Sequence, residues 1–455
     1  MSFRNILTFI FSTTILISIV TINFLPTHLL SIILTTVCFV TLLQLIIQKS
    51  TPPIWQILYV FSIIFFLCLK EIVGVINLFD INNSISLASI GYNYSIEAYN
   101  KAIIYIVYFV SGTYFAIVFL QEKVTSIPIL PKKNITNVKS FKVFFLICFC
   151  FMLFDKFSIY SNSQIVGYVD AIHSESSNSL FFILIDILHP VLYSILAIAF
   201  MQKKISSVNF ALLTLFFITP YFFTFLSGFR GEFVGKLIAL TIIFASITKF
   251  PRYYYVIGGA TVLIGVLGME FIRFDNSLSL LSLPLESYFL AFSYLGNSFD
   301  VVPLAIENQA YLFHDWKYFF GGPLAIFSFE PTYSAQGILT KPYLAQHLMS
   351  IIDYRRFSGG STIGSSVVAE IFLITPYLIL PFSYFIIWTS KVLINKSFYS
   401  VLFFYISFSY FENMLFMARG GFLKFIDKEL FFGIILILII VSLSSLNSNM
   451  KEKDV

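Results

Sequence analysis

Charge is scarce in this chain: Asp, Glu, Lys and Arg make up 11% of its 455 residues, whereas soluble domains carry about 25%. That deficit excludes a water-soluble fold, because no soluble core could absorb the 58% of residues that are hydrophobic. Cysteine is sparser still. The four, Cys38, Cys68, Cys148 and Cys150, lie inside apolar runs, where a disulfide partner is not expected and hard metal ligands are missing, so they read as packing residues. The net charge is only +5 and no basic run forms a stripe, which argues against nucleic acid as a partner. Internal repeats and low-complexity linkers are also lacking, so residues 1–455 read as a single membrane domain.

What fills the chain instead is apolar runs, at about 6–24, 29–47, 54–76, 102–120, 143–160, 180–201, 208–226, 233–248, 253–271, 371–389, 398–417 and 430–446. A spanning helix needs roughly 20 predominantly apolar residues, so the pattern predicts an all-α polytopic membrane protein with about twelve transmembrane helices. The first run follows a lone Arg4 and shows no small-residue cleavage site before Pro26, and so reads as a retained span rather than a signal peptide. Lysines gather in alternate connectors: Lys49; Lys123, Lys132, Lys133, Lys139 and Lys142; Lys203 and Lys204; Lys249 with Arg252; Lys391 and Lys396; Lys451 and Lys453. The positive-inside rule makes that side cytoplasmic and puts both termini there, in keeping with an even number of spans.

The stretch 284–306 is apolar but contains Glu286, Asn297 and Asp300. Counting it as a span would carry Lys391 and Lys396 outside, so it reads as an amphipathic or partly inserted helix. It belongs to a large outer loop, residues 273–366, between spans 9 and 10. Smaller outer loops run over about 77–100 and 156–179.

Five of the seven arginines fall on the outer side: Arg230, Arg273, Arg355, Arg356 and Arg419. The topology rule would deplete them there, and the planar guanidinium fork suits bidentate binding of phosphate or carboxylate. Arg230 sits in the tight turn Ser227-Gly228-Phe229-Arg230-Gly231-Glu232, and Arg419 precedes Gly420-Gly421. Arg273 could instead pair with Glu270 at i,i+3. Arg355 and Arg356 precede Ser358-Gly359-Gly360-Ser361-Thr362-Ile363-Gly364-Ser365-Ser366, a turn that opens the tenth span with its helix N-terminus outward. Exposed N–H groups there suit an anion, and Glu370 one turn in could pair with an arginine or accept a proton. The run Gly228 to Lys236 is not a nucleotide P-loop, since it lacks the Ser/Thr after the lysine and the preceding strand.

All five histidines, His28, His173, His189, His314 and His347, map outside or near the outer span ends, and no pair has metal-ligand spacing, so no metal site is expected. His314 and His347 are the better acid/base candidates. Asp186 and His189 stand at i,i+3 beside Pro190, and Glu412 lies near the end of the eleventh span. They suggest either a polar pocket opening outward or a buried structural pair.

The aromatic-rich spans, the Ser-Gly-Phe-Arg-Gly-Glu turn, the large loop after Glu270-Phe271-Ile272-Arg273, and the Gly359 to Ser366 run followed by Ala369-Glu370 together resemble the Wzy-type O-antigen polymerases. The resemblance implies a GT-C-like membrane glycosyltransferase of the bacterial inner membrane, without a cofactor. Its reaction would transfer a growing glycan from undecaprenyl pyrophosphate to a sugar hydroxyl of the next lipid-linked repeat unit at the periplasmic face. Its partners would be the lipid-linked oligosaccharide, the bilayer and a chain-length regulator protein. In that chemistry Arg230, Arg273, Arg355, Arg356 and Arg419 would hold the pyrophosphates, because the charge leaving with them needs cationic donors. His347, Glu232 or Glu370 would take the proton of the acceptor hydroxyl, and Trp316, Tyr318 and Tyr354 could stack on sugars. Two alternatives remain open: an O-antigen ligase, which would deliver the same donor to lipid A core, and a lipid-linked oligosaccharide flippase.

Overall fold

A computed structural model describes residues 3–47, 53–76, 94–120, 135, 137–166, 180–227, 230–246, 298–328, 334–358, 364–414, 416–418 and 420–453. Every regular element among them is helical. Within a bilayer that outcome is imposed, because an apolar segment without water must satisfy each backbone N–H and C=O internally.

In chain order the helices are α1 (Phe3–Thr21), α2 (Thr27–Ile47), α3 (Ile54–Ile63), α4 (Leu69–Ile76), α5 (Ile96–Phe119), α6 (Val138–Val166), α7 (Leu180–Met201), α8 (Ser207–Leu226) and α9 (Arg230–Ala245). They continue with α10 (Ser298–Glu307), α11 (Gly321–Ala325), α12 (Ala335–Thr340), α13 (Leu344–Ile352), α14 (Tyr354–Ser358), α15 (Val367–Ile374), α16 (Ile379–Lys396), α17 (Val401–Met414) and α18 (Lys428–Lys453). Eight helical segments are long and apolar enough to cross a membrane: Arg4–Phe24, Leu29–Ile47, Ile54–Ile72, Ile96–Phe119, Val138–Ile165, Phe181–Met201, Ser207–Leu226 and Pro376–Lys396. They coincide with eight of the twelve expected runs. Of the other four, 233–248 becomes the 16-residue α9, 398–417 the 14-residue α17, and 430–446 lies within the 26-residue α18. The run 253–271 lies outside the described residues. At 1.5 Å per residue α9 covers about 24 Å, short of a hydrocarbon core of about 30 Å.

The chain divides into two compact units. The first comprises Met1–Val124, Phe250–Ser390 and Met414–Lys424. In it α2 lies along α5, and α1 packs on both, tied by a hydrogen bond of 3.0 Å between Ser12 Oγ and Tyr114 Oη. Helices α5 and α16 approach so closely that a Cβ on Gly112 would lie 2.0 Å from Ser383 Oγ and 2.3 Å from the Leu380 carbonyl oxygen. A π-helical turn, Ile64–Cys68, joins α3 to α4. Such turns shift the register of a helix and occur often at functional sites. Directly after it come two charged residues, Lys70 and Glu71, both buried.

The stretch expected to be amphipathic behaves differently in its described part. Helix α10 is ten residues long and buried from Ser298 through Ile306, and at about 15 Å it is too short to cross a bilayer. It packs against α5, the π turn, α15 and α13, and so forms the hub of this unit.

The second unit comprises Thr125–Lys249, Lys391–Asn413 and Phe425–Val455. Helices α6, α7 and α8 pack on one another, α9 joins through α8, and α18 through α7. Tyr405 of α17 donates from Oη to the Glu429 carbonyl of α18 at 2.9 Å.

Gly112→Val is expected to force α5 and α16 apart and cost about 1–3 kcal/mol, as overpacking does. Thermal unfolding of the detergent-solubilised protein measures it, and an unchanged midpoint would contradict the close approach.

Candidate active site

Ionisable groups inside an apolar bundle are costly and survive only when paired. In the first unit the pairing converges on α10. Lys70 Nζ lies 2.5 Å from Asp300 Oδ1, with side chains 3% and 1% exposed, and Tyr94 Oη donates to the same oxygen at 2.8 Å. Asp300 Oδ2 has no partner among the described residues. Residues adjacent in a helix point about 100° apart, so Glu71 meets different neighbours. Its Oε2 accepts from Ser31 Oγ of α2 at 2.7 Å and from Tyr99 Oη of α5 at 2.6 Å. The other end of α10 is fastened too. Glu307 Oε2 accepts from the Ser95 backbone N–H at 3.2 Å and from Ser95 Oγ at 2.6 Å, while Ser95 caps α5 by accepting from the Ala98 N–H at 3.2 Å.

Through α10 this clasp bears on α15, which carries Glu370. The chain enters α15 through Gly364, whose φ of 86° is the left-handed region that favours glycine. Ser365 Oγ donates to Glu370 Oε1 at 2.8 Å. Glu370 Oε2 and Ser366 Oγ are both buried and have no partner among the described residues. Gly421 makes room for the carboxyl, since a Cβ there would lie 2.8 Å from Oε2. Burial pushes the Glu370 pKa up to about 8, against the opposing pull of the Ser365 hydroxyl and the Lys424 charge. A carboxyl titrating near neutral pH with an uncommitted oxygen is suited to proton transfer.

Helix α13, also against α10, carries His347. The Phe313 N–H donates to Tyr318 Oη at 3.0 Å, and Tyr318 Oη is hydrogen-bonded to His347 Nδ1. When the phenol, which accepts from Phe313, directs its own proton to Nδ1, the imidazole proton sits on Nε2. Burial lowers the His347 pKa and so favours the neutral ring, which in that tautomer offers Nε2–H as a donor. His314 is exposed, and its Nε2 lies 2.6 Å from the Gln309 carbonyl. Tyr318 is buried and committed to His347, while Trp316 and Tyr354 are exposed.

Of the arginines, Arg355 and Arg356 stand exposed on α14. Arg356 Nε lies 3.4 Å from Asp353 Oδ2, and Arg355 has no ion-pair partner among the described residues. Arg273 and Arg419 lie outside the described residues. Arg230 opens α9 in the second unit, where its side chain is not described.

In that unit, Lys236 Nζ is 2.7 Å from Glu412 Oε1 and 4.0 Å from Glu232 Oε1, and it stands over the Tyr221 ring at 4.4 Å. Lys156 lies 3.2 Å from Asp155 and 3.3 Å from Asp186. Asp186 and His189, expected together, therefore part company. His189 is stacked between Phe145 and Phe217, each at 5.0 Å, with Nδ1 3.4 Å from Tyr221 Oη. Among the described residues no cluster of three or more His, Cys, Asp or Glu could hold a metal ion.

Sequence reasoning missed Lys70, Glu71 and Tyr94, and took Asp300 only as grounds for rejecting a span. The available signal was two adjacent charges inside the apolar run 54–76 and the acid Asp300 in another apolar stretch.

Long apolar helices whose buried charges are paired define a multi-pass membrane protein. The family model for the O-antigen polysaccharide polymerase Wzy matches residues 4–452, and the chain belongs to that family. No curated protein and no solved structure matches it. Membership carries a glycosyltransferase-type polymerase activity acting on a lipid-linked oligosaccharide.

Lys70→Met would strand Asp300 as an uncompensated buried charge, at an expected cost of about 3–5 kcal/mol. Lys70→Met combined with Asp300→Leu removes both charges and is expected to recover most of that loss. Thermal unfolding of the unaltered chain, the two single variants Lys70→Met and Asp300→Leu, and the double variant checks the coupling, and a double-variant loss equal to the sum of the two single losses would refute it.

Proposed function

We propose that this protein lengthens a surface polysaccharide at the periplasmic face of the bacterial inner membrane. The hydroxyl oxygen of a lipid-linked repeat unit attacks the anomeric carbon of the growing glycan. The bond from that carbon to undecaprenyl pyrophosphate breaks, the pyrophosphate leaves as an anion, and the hydroxyl proton passes to a base. Twelve spans in a GT-C-like arrangement, cytoplasmic termini and a chain-length regulator as partner complete this reading. Sidedness is supported by α10, which Glu307 fastens to Ser95 at the Ile96 end of α5, opposite the end that leads to Lys123 of the connector.

The observation that carries the chemistry is the Glu370 carboxyl, buried, elevated to about 8 and holding one oxygen free of described partners. Glu370 is the base in this proposal. His347 donates from Nε2 to a substrate oxygen, and Glu232 serves the second unit as an alternative acceptor of protons. Arg355, exposed and without an ion-pair partner among the described residues, is the proposed phosphate contact of the first unit; Arg356, Arg230, Arg273 and Arg419 are the other arginines proposed for that chemistry.

Because the base acts only when ionised, kcat/KM is expected to rise with pH and level off above about 8. Glu370→Gln should abolish that limb and lower the rate by roughly 10²–10⁴. Arg355→Ala, which removes a charged hydrogen bond of about 1.5–3 kcal/mol, should lower kcat/KM by roughly tenfold to a hundredfold. Lipid-linked repeat units supplied to the reconstituted protein provide the assay. Full glycan lengthening by a folded Glu370→Gln protein would remove Glu370 from the mechanism.

A further inference from the structure

One side of the segment 316–325 is apolar and open to its surroundings. The Phe320 N–H bonds to the Trp316 carbonyl at 3.0 Å and the Leu324 N–H to the Phe320 carbonyl at 2.9 Å, so the turn before α11 runs into it along one helical path. Trp316, Phe320 and Leu324 recur every fourth residue and therefore share a stripe. They are 45%, 42% and 44% exposed. The opposite side is committed to the protein. Tyr318 and Phe319 are buried, and Gly321 backs so tightly onto Pro342 that a Cβ would lie 2.6 Å from its carbonyl oxygen.

This stripe adjoins a membrane-facing surface. Phe319 meets Phe382 of α16 with ring centroids 5.1 Å apart. From there Phe385 and Trp388 follow along the helix at 5.9 and 5.7 Å. Both are exposed on a helix long and apolar enough to span. Lys317, paired with Asp315 at 3.1 Å and standing over the Phe313 ring at 4.5 Å, supplies a charged rim beside the apolar stripe. Tryptophan with lysine at the edge of an apolar surface is the composition found at the headgroup boundary of bilayers.

We propose that residues 316–325 lie in the interface of the leaflet beside α16, with Trp316, Phe320 and Leu324 among the acyl chains. The occupant of this face is lipid, because the face continues the one that α16 turns to the bilayer. The inference does not depend on the polymerase chemistry.

The test uses the full chain in phosphatidylcholine vesicles, with and without lipid brominated on the acyl chains. The chain has three tryptophans, and Trp55→Phe with Trp388→Phe leaves Trp316 as the only tryptophan, excited selectively over the tyrosines at the red edge of the absorption band. The expected result is strong quenching of Trp316 by brominated lipid, comparable to that of Trp388 in the matching single-tryptophan variant, with little quenching by aqueous iodide. Quenching by iodide and not by brominated lipid would overturn the proposal. So would quenching by neither, which would mean that a second copy or another protein covers the face. If the double variant does not fold, the difference in quenching between the unaltered chain and Trp316→Phe reads the same quantity.

Discussion

A lysine ammonium withdrawn from water has to be met by a carboxylate, and the first unit is arranged around how Lys70 meets Asp300. The pair joins a membrane helix to a ten-residue helix that spans nothing and is buried on all sides. Removing either charge leaves the other stranded at a cost of several kcal/mol. Tyr94 shares the same carboxylate oxygen, Ser95 grips the far end of α10, and Glu71 ties α4 to α2 and α5. A helix held at both ends can serve as a fixed wall. Against it rest α15 with Glu370 and α13 with His347, so the charge pair stands behind the groups suited to proton transfer without belonging to them.

The second unit meets the same constraint separately. Lys236 bridges to Glu412 across α9 and α17, and Lys156 to Asp186 across α6 and α7. In each unit the buried cation is lysine, whose flexible stem delivers a compact charge to one carboxylate. The side chains of Arg355 and Arg356 are exposed, where the rigid guanidinium fork can meet an arriving phosphate. This division of labour fits an enzyme family that acts on a lipid-linked oligosaccharide in a membrane.

Much of the membrane architecture is legible in the sequence, because an apolar run of about 20 residues has few fates but a helix. Eight runs became such helices, with ends up to seven residues from the expected ones. Glu370 was legible too, since a Gly/Ser-rich entry followed by an acid one turn into a helix is a local pattern. What escaped were features made by distant residues. Asp300 and Lys70 are 230 positions apart, and nothing local says that they meet. The π turn before Lys70 leaves no mark in hydropathy, and the partners of Asp186 and His189 lie on other helices, so their i,i+3 spacing misled. The burial that sets the Glu370 pKa comes from packing around α15, including the missing side chain of Gly421, and spacing alone does not reveal it.

The central claim is that a buried, uncommitted carboxyl sits at the start of α15, ready to exchange a proton near neutral pH. Infrared spectroscopy of the reconstituted protein tests it most directly, by following the protonated carboxyl C=O band that disappears in Glu370→Gln. The expected band titrates with a midpoint near pH 8. A midpoint in the ordinary carboxylate range, near 4.5, would contradict the account.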